Sequence, residues 1–368
     1  MDVKLIDFAV AGVRGLEPYQ PGKPIEELER EYGVRNAIKL ASNENPLGPS
    51  ALAMDALKGA LGTLARYPDG AGFALKSAIA RHLQVSAAAV TLGNGSNDIL
   101  EFAARVFATA GDEIVFSQHA FAVYPIVTQA VGARAVEVPA QDWGHDLDGM
   151  LRAVTARTKL VFIANPNNPT GTWLRRAQIE NFMVRLPQRV VVVLDEAYFE
   201  YVDEPDYGSG IELLPKHPNL VVARTFSKAY GLAGLRVGYG VSGQALADLL
   251  NRVRQPFNVN TLAQVAAAAA LNDRGHLERS RRVNSDGMCQ LTDGFRKLGL
   301  NFIPSVGNFV SVELPLPGRD AYEGLLRQGV IVRPVANYGM PHHLRVTVGL
   351  EQENLRFLEA LGKVLGKK

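Results

Sequence analysis

Residues 219–236 read NLVVARTFSKAYGLAGLR, and this stretch places a lysine where an ordinary surface lysine is not expected. Its first five residues are uncharged and rich in β-branched side chains, which is typical of a strand buried on both faces of a sheet. Lys228 follows soon after that strand, and open α/β sheets bind ligands at the C-terminal ends of their strands. A lysine buried there loses its proton readily and can form a Schiff base with a carbonyl cofactor. The alternative interpretation is a solvated loop lysine.

The same stretch also offers a phosphate site. Arg236 lies eight residues after Lys228 (236 − 228 = 8), in a glycine-punctuated loop. A guanidinium group matches phosphate geometry, and the hydroxyl groups of Thr225 and Ser227 are close by in the sequence. The stretch therefore predicts binding of both the aldehyde and the phosphate of pyridoxal phosphate.

Two earlier strands end in polar side chains of complementary chemistry. A buried strand over residues 159–164 leads into a proline-fixed loop containing Asn168, and the run VVVVL leads directly into Asp195. An aspartate after five apolar residues is costly to bury without a partner, and a protonated pyridine nitrogen would be one. A helical pattern over residues 176–186 separates the two strands, so we expect parallel strands whose polar ends, with Lys228, share one sheet edge.

A strand, a glycine turn and a helix follow one another over residues 89–107. Ser96 and Asn97 open the helix, where free N–H groups and the helix dipole favour an anion. The turn lacks the third glycine of a dinucleotide motif and the lysine of a P-loop, so a plain helix N-cap remains an alternative. After the next strand, Phe121 or Tyr124 is placed to stack on a flat heteroaromatic ring or simply to fill core.

The two ends of the chain carry further candidates. Prolines interrupt the first 50 residues, which either wrap the surface or bring Tyr19 and the turn containing Asn43 into an active site, including that of a partner subunit. Near the C-terminus, Arg333 and Arg345 each interrupt a strand pattern. They are either solvated edge residues or a pair of cations for an anionic substrate group.

Composition limits the class of protein. A chain of 368 residues is long enough for a large and a smaller domain, and we expect an arm (1–45), a large domain (46–260) and a small C-terminal domain (261–368). A net charge of +2 gives no reason to propose a nucleic-acid or membrane partner. The single cysteine, Cys289, and the lack of an apolar leader predict a soluble cytoplasmic protein. No residues are spaced in the sequence as the ligands of a metal site are, so no metal is expected.

Three motifs in order carry a family resemblance: NPNNPTG at 165–171, DEAY at 195–198 and SKAYGLAGLRVG at 227–238. Together they resemble the fold-type I pyridoxal-phosphate aminotransferases of the aspartate aminotransferase superfamily, over essentially the whole chain. The resemblance implies an α/β fold, with a large domain whose mostly parallel sheet lies between helices and a smaller α+β C-terminal domain. The arm motifs LEPYQPG and KLASNENPLG are similar to those of the histidinol-phosphate aminotransferase branch.

The resemblance also implies roles for individual residues. Lys228 would be the Schiff-base lysine and proton carrier, Asp195 would keep the cofactor ring protonated, and Asn168 and Tyr198 would contact the ring hydroxyl. Phe121 would stack on the ring, where relatives often have tyrosine or tryptophan. The remaining assignments are a phosphate set of Ser96, Asn97, Thr225, Ser227, Arg236 and, from a second subunit, Tyr67, and a substrate set of Tyr19, Asn43, Arg333 and Arg345.

The implied activity is transfer of an amino group between L-histidinol phosphate and 2-oxoglutarate by a homodimer with shared active sites. In relatives that use amino acids, the position matching Arg345 takes the α-carboxylate, so that residue does not separate the substrate classes. Alternatives are an aromatic amino-acid aminotransferase, a phosphothreonine decarboxylase and, with all the strand-end residues present, a much less favoured non-enzymatic module.

Overall fold

A computed structural model describes residues 4–19 and 21–367 of the chain. Its centre is a seven-stranded sheet of β2 (Val90–Gly93), β3 (Glu113–Ser117), β4 (Arg134–Val138), β5 (Thr158–Ala164), β6 (Val191–Asp195), β7 (Leu220–Thr225) and β8 (Gly238–Ser242). The strand order is β2-β8-β7-β6-β5-β3-β4; β8 runs antiparallel to both of its neighbours, and the other four adjacent pairs are parallel.

Helices cover both faces of this sheet, because its central strands are apolar on both sides. Along β5, Leu160 and Phe162 face one core and Val161 and Ile163 the other, as the alternation of a strand requires. The helices of the chain are α1 (Ala11–Arg14), α2 (Ile25–Tyr32), α3 (Ala51–Ala60), α4 (Phe73–Leu83), α5 (Ser96–Phe107), α6 (Val123–Ala130), α7 (Leu147–Ala153), α8 (Arg176–Arg185), α9 (Gln244–Val253), α10 (Thr261–Ala270), α11 (Arg274–Lys297), α12 (Gly318–Arg327) and α13 (Glu351–Val364).

A second, smaller sheet lies in the C-terminal part. The remaining strands are β1 (Ile38–Lys39), β9 (Phe302–Ile303), β10 (Phe309–Glu313), β11 (Val330–Ile331), β12 (Arg333–Pro334) and β13 (His343–Thr347). The smaller sheet pairs antiparallel in the order β12-β13-β10-β9, and α11, α12 and α13 pack around a core that includes Phe295 and Phe357. The N-terminal segment joins this part of the molecule, since β1 runs parallel to β11.

The predicted α/β class and mostly parallel sheet are confirmed. The sequence pattern also indicates a helical region over residues 251–298 that is interrupted at Pro256. The structure contains this region as the end of α9, α10 and α11, with an irregular turn at residues 254–260 around Pro256. The antiparallel β8 was not expected. The division into 1–45, 46–260 and 261–368 stays a prediction. Within the described residues, no helix is long and apolar enough to cross a membrane.

Candidate active site

The C-terminal ends of the parallel strands β5, β6 and β7 lie side by side at one cavity. The register pairs Ala164 of β5 with Asp195 of β6, and Asp195 with Ala223 of β7, so the loops that follow these strands start side by side. The cavity has a volume of about 180 Å³. It is lined by Tyr19, Ser42, Asn43, Ser96, Asn97, Phe121, Ala164, Pro166, Asn168, Asp195, Ala197, Tyr198, Thr225, Ser227, Lys228, Arg236 and Arg345.

The buried carboxylate of Asp195 uses only one of its two oxygens in side-chain hydrogen bonds to the described residues. Its side chain is on the face of the sheet that packs against α5 and α6, and its Oδ2 accepts a hydrogen bond from the Tyr124 hydroxyl at 3.1 Å. Its Oδ1 is buried and has no partner among the described residues. Burial raises the pKa of Asp195 to about 6, against the opposing effect of the Tyr124 hydrogen bond. A cationic N–H donor at Oδ1 would satisfy this oxygen and reverse the shift.

Lys228 is held by the N-terminal segment of the chain. Its Nζ donates to the carbonyl oxygen of Ser42 at 2.9 Å and lies 5.7 Å from the centroid of the Tyr198 ring. Burial, and then the positive charge of Arg345, lower the pKa of Lys228 to about 7. A substantial fraction of this amine is therefore unprotonated near neutral pH, as a nucleophilic lysine requires.

The opposite end of the cavity is a cradle for an anion. Ser96 and Asn97 form the first turn of α5, and the Arg236 guanidinium reaches Ser227 Oγ at 3.3 Å from Nη1. Glycine is required at position 95, where φ is +86° and a Cβ atom would lie 2.4 Å from Arg236 Nη2. A helix N-terminus, hydroxyl groups and a guanidinium around one space match the needs of a phosphate.

Tyr198 and Asn43 connect the N-terminal segment to the site. Asn43 Nδ2 donates to the Tyr198 hydroxyl at 2.8 Å, and its backbone N–H donates to Thr347 Oγ1 at 2.9 Å. Burial raises the pKa of Tyr198 above its usual range, so the phenol stays protonated. The arm therefore contributes to the site within the same chain.

Two arginines face each other on adjacent strands of the small sheet. Arg333 of β12 is the direct cross-strand partner of Arg345 of β13, and direct partners project from the same face. Arg345 is 5% exposed and donates from Nη1 to Asn168 Oδ1 and from Nη2 to the Ala41 carbonyl, each at 2.6 Å. Among the residues that the structure describes, its Nε has no hydrogen-bond partner and neither arginine forms an ion pair. Opposed like charges are unfavourable unless an anion lies between or beside them.

Not every predicted residue lines this cavity. Arg333 lies in an adjoining groove, with its guanidinium carbon 5.6 Å from the Tyr19 ring centroid, and Tyr19 lines both spaces. Tyr67 is outside the cavity, 83% exposed, and stacks on Phe257. The other predicted residues of the cofactor and substrate sets line the cavity.

Sequence reasoning missed two contributors. Tyr124 was considered only for stacking or core filling, yet it is the hydrogen-bond donor to Asp195 while its ring stacks on Phe162 at 4.7 Å. A buried tyrosine needs a polar partner, and that requirement was the available signal. The Ser42 carbonyl, which accepts from Lys228, gives no side-chain signal at all because any residue supplies a carbonyl.

A buried ion pair behind the site was also missed. Glu196 Oε2 accepts from Arg224 Nε at 3.0 Å and Nη2 at 2.7 Å, and Glu196 Oε1 accepts from the Gly210 backbone N–H. Glu196 directly follows Asp195, and Arg224 directly precedes Thr225. The pair therefore ties together the ends of β6 and β7 on the side facing away from the cavity.

Comparisons with known proteins identify the family of the chain. The family model described as aminotransferase class I and II matches residues 35–361. The chain is 60% identical over 358 residues to "Histidinol-phosphate aminotransferase 1" of Nitrosococcus oceani, covering 97% of each chain. It is 59% identical over 369 residues to "Histidinol-phosphate aminotransferase 2" of Pseudomonas fluorescens, covering 100% of each. A crystal structure of histidinol-phosphate aminotransferase from Sinorhizobium meliloti, in complex with pyridoxal-5'-phosphate, matches with a TM-score of 0.90, 32% identity and 97% coverage of each chain.

The fold is that of the fold-type I, pyridoxal-phosphate-dependent aminotransferases, and the cavity brings together a lysine after β7, a carboxylate at the end of β6 and the N-terminus of α5. The chain belongs to the class I and II aminotransferase family and, within it, to the histidinol-phosphate aminotransferases.

Proposed function

We propose that the chain transfers an amino group between L-histidinol phosphate and 2-oxoglutarate, forming 3-(imidazol-4-yl)-2-oxopropyl phosphate and glutamate, as a step of histidine biosynthesis. The relatives' names support the reaction, and the single observation that carries the choice of substrate is the opposed pair Arg333 and Arg345. These two cations have no carboxylate partner within residues 4–19 and 21–367, and they match a substrate that carries a phosphate.

The residues present fit pyridoxal phosphate. The unpartnered Oδ1 of Asp195 would receive the protonated ring nitrogen, Asn168 and Tyr198 would contact the ring hydroxyl, and Phe121 would lie against the ring. The phosphate would be held by Ser96, Asn97, Thr225, Ser227 and Arg236. When bound, this cofactor supplies an electron sink that stabilises negative charge at the substrate carbon.

The chain's own residues supply the proton handling and the binding. Lys228 Nζ, with its pKa lowered to about 7, accepts and returns the proton at the substrate carbon. Asp195 stays ionised beside a cation and thereby keeps that cation protonated. Asn43 orients the Tyr198 hydroxyl through the 2.8 Å hydrogen bond, and the buried position of Tyr198 keeps this hydroxyl a donor.

The substrate's phosphate would be bound by Arg333, Arg345 and the Tyr19 hydroxyl. Arg345 is already oriented by Asn168 and Ala41, and its unpartnered Nε remains available as a donor. Arg333 is held less tightly, near the Tyr19 ring. Because Arg345 suits a carboxylate equally well, it would also bind 2-oxoglutarate in the second half of the reaction.

We propose that the active form is a homodimer in the cytoplasm with active sites shared between subunits. Tyr67 is exposed and lies outside its own cavity, which supports a role in the site of a second copy. Large apolar side chains are also exposed in the same part of the chain, as an interface would need, including Leu52, Leu61, Leu64 and Phe73.

The test compares kcat/KM for L-histidinol phosphate and for L-phenylalanine, with 2-oxoglutarate as acceptor, after the visible absorbance of bound cofactor has been confirmed. A strong preference for L-histidinol phosphate is expected. Preference for L-phenylalanine would overturn the substrate assignment and give Arg345 to a carboxylate. Carbon dioxide release from phosphothreonine without any oxo-acid acceptor would identify a decarboxylase instead.

A further inference from the structure

The turn between α9 and α10 places an aromatic side chain in an unfavourable backbone conformation. Phe257 has φ = +58° and is 44% exposed. Its ring stacks on the ring of Tyr67 with centroids 4.8 Å apart and an interplanar angle of 21°. A bulky residue with positive φ is uncommon, and such outliers are kept where surrounding contacts require them.

The same turn fixes the loop that carries Tyr67. Arg254 donates from Nη2 to the Gly70 carbonyl at 2.7 Å and from Nη1 to Asn258 Oδ1 at 2.9 Å. Gly70 lies directly against the Phe257 ring, since a Cβ atom at this position would be 3.2 Å from Phe257 Cε1. The Tyr67 loop is therefore held at two points. Arg254 binds the backbone carbonyl of Gly70, and the Phe257 ring stacks on the side chain of Tyr67.

The turn also reaches the phosphate cradle of its own subunit. Asn258 Nδ2 donates to Asp98 Oδ2 at 2.9 Å, and the same carboxylate oxygen accepts from the Asn94 backbone N–H at 2.8 Å. Asp98 lies in the first turn of α5, immediately after Ser96 and Asn97. One turn of the chain thus contacts both the local phosphate cradle and the loop of Tyr67.

We propose that Phe257 is a positioning residue that orients Tyr67 toward the cofactor phosphate bound in the partner subunit. The inference rests on the shared site of the proposed function. An exposed tyrosine loses rotamer freedom when it binds, and a stacked ring that orders it beforehand reduces that loss. Asn258, on the same turn, supports the cradle of its own subunit, so the segment 254–258 connects the two phosphate sites of a dimer.

The test measures the dissociation constant of pyridoxal phosphate by titrating the apo dimer, with the dimer verified by sedimentation. Tyr67→Phe removes a hydrogen bond to a charged group and should weaken binding about ten- to a hundredfold. Phe257→Ala should weaken it about three- to tenfold, because the tyrosine is then ordered only on binding. The double variant should bind no more weakly than Tyr67→Phe alone, and Phe257→Tyr, which retains a flat ring, should bind like the unaltered chain.

The outcomes separate the two proposals. Unaltered binding by Tyr67→Phe would overturn the shared site itself. Weak binding by Tyr67→Phe with unaltered binding by Phe257→Ala would overturn the positioning role alone, as would losses that simply add in the double variant. If Phe257→Ala fails to dimerise, the same comparisons are made with Phe257→Leu, which keeps an apolar side chain but lacks the flat face. The positioning role predicts that Phe257→Leu weakens binding of pyridoxal phosphate only when Tyr67 is present. Equal weakening with and without Tyr67 would overturn it.

Discussion

The two ends of the active-site cavity are built in different ways. The end that we assign to the cofactor uses residues at or just after the C-terminal ends of parallel strands, with Asp195 ending β6 and Lys228 following β7, within short contiguous motifs. The end that we assign to the substrate combines the N-terminal arm with β13 of the small sheet, so that Asn43 and Arg345 come from distant parts of the chain. The contrast indicates that the cofactor end is fixed by local topology, whereas the substrate end depends on long-range packing and is open to variation.

The largest effect is expected at the cofactor end. Lys228→Ala removes the group that carries the proton, so transamination should fall by at least about 10⁴-fold with every substrate, together with the visible absorbance of the loaded protein. Steady-state kinetics and absorbance spectra provide the measurement. Lys216→Ala, which removes an exposed lysine paired with Glu180, is a matched control and should be unaltered. Intact turnover by Lys228→Ala would refute the assignment of the lysine.

Asp195→Asn should reduce kcat by about a hundredfold or more, because a neutral amide cannot hold a ring cation in the buried site. KM should change much less. Tyr124→Phe deletes only the hydrogen bond to Asp195 and should have a smaller effect in the same direction. A larger loss of kcat in Tyr124→Phe than in Asp195→Asn would contradict the proposal that Tyr124 acts only through its hydrogen bond to Asp195.

The substrate end should respond selectively. Arg333→Gln should raise KM for L-histidinol phosphate about ten- to a hundredfold through loss of one charged hydrogen-bond donor, with little change for 2-oxoglutarate. Arg345→Gln should impair both substrates, since Arg345 is the buried member of the pair. Measuring KM for each substrate separates the two arginines. An equal rise in KM for both substrates in Arg333→Gln would contradict the assignment of Arg333 to L-histidinol phosphate alone.

The smallest effect concerns stability and pH. The pKa of Lys228 is about 7 in the folded chain and about 10.5 in the unfolded chain, so between these values the unfolded chain binds more protons. The free energy of unfolding of the apo protein should therefore rise with pH across this window, by no more than about 1.4 kcal/mol per pH unit from this group. In Lys228→Met the free energy of unfolding should rise less steeply with pH, as measured by urea unfolding of both proteins at pH 7, 8 and 9. Identical slopes for the two proteins would show that Lys228 is not desolvated.

The sequence predicted the cofactor end more fully than the substrate end, for physical reasons. Asp195 and Lys228 could be located because a charged residue next to an apolar strand is conspicuous and parallel strands end at one edge. The hydrogen bond from Tyr124 and the carbonyl contact of Ser42 could not, since partner choice depends on how helices pack and backbone carbonyls have no residue signature. The sequence left two interpretations open for Arg333 and Arg345, because it could not show that the register places them opposite each other on adjacent strands.

The pairing of β1 with β11 has a consequence for how the chain folds during synthesis. Ile38 is paired with Val330, a separation of 292 residues (330 − 38 = 292). The segment around Ile38 is therefore made well before its strand partner, and the large sheet can form in the interval. The Ser42 carbonyl, which accepts from Lys228 Nζ, lies only three residues after β1. We therefore expect a chain truncated before residue 330 to fold at its central sheet but to lack the fixed position of this carbonyl, and to be inactive.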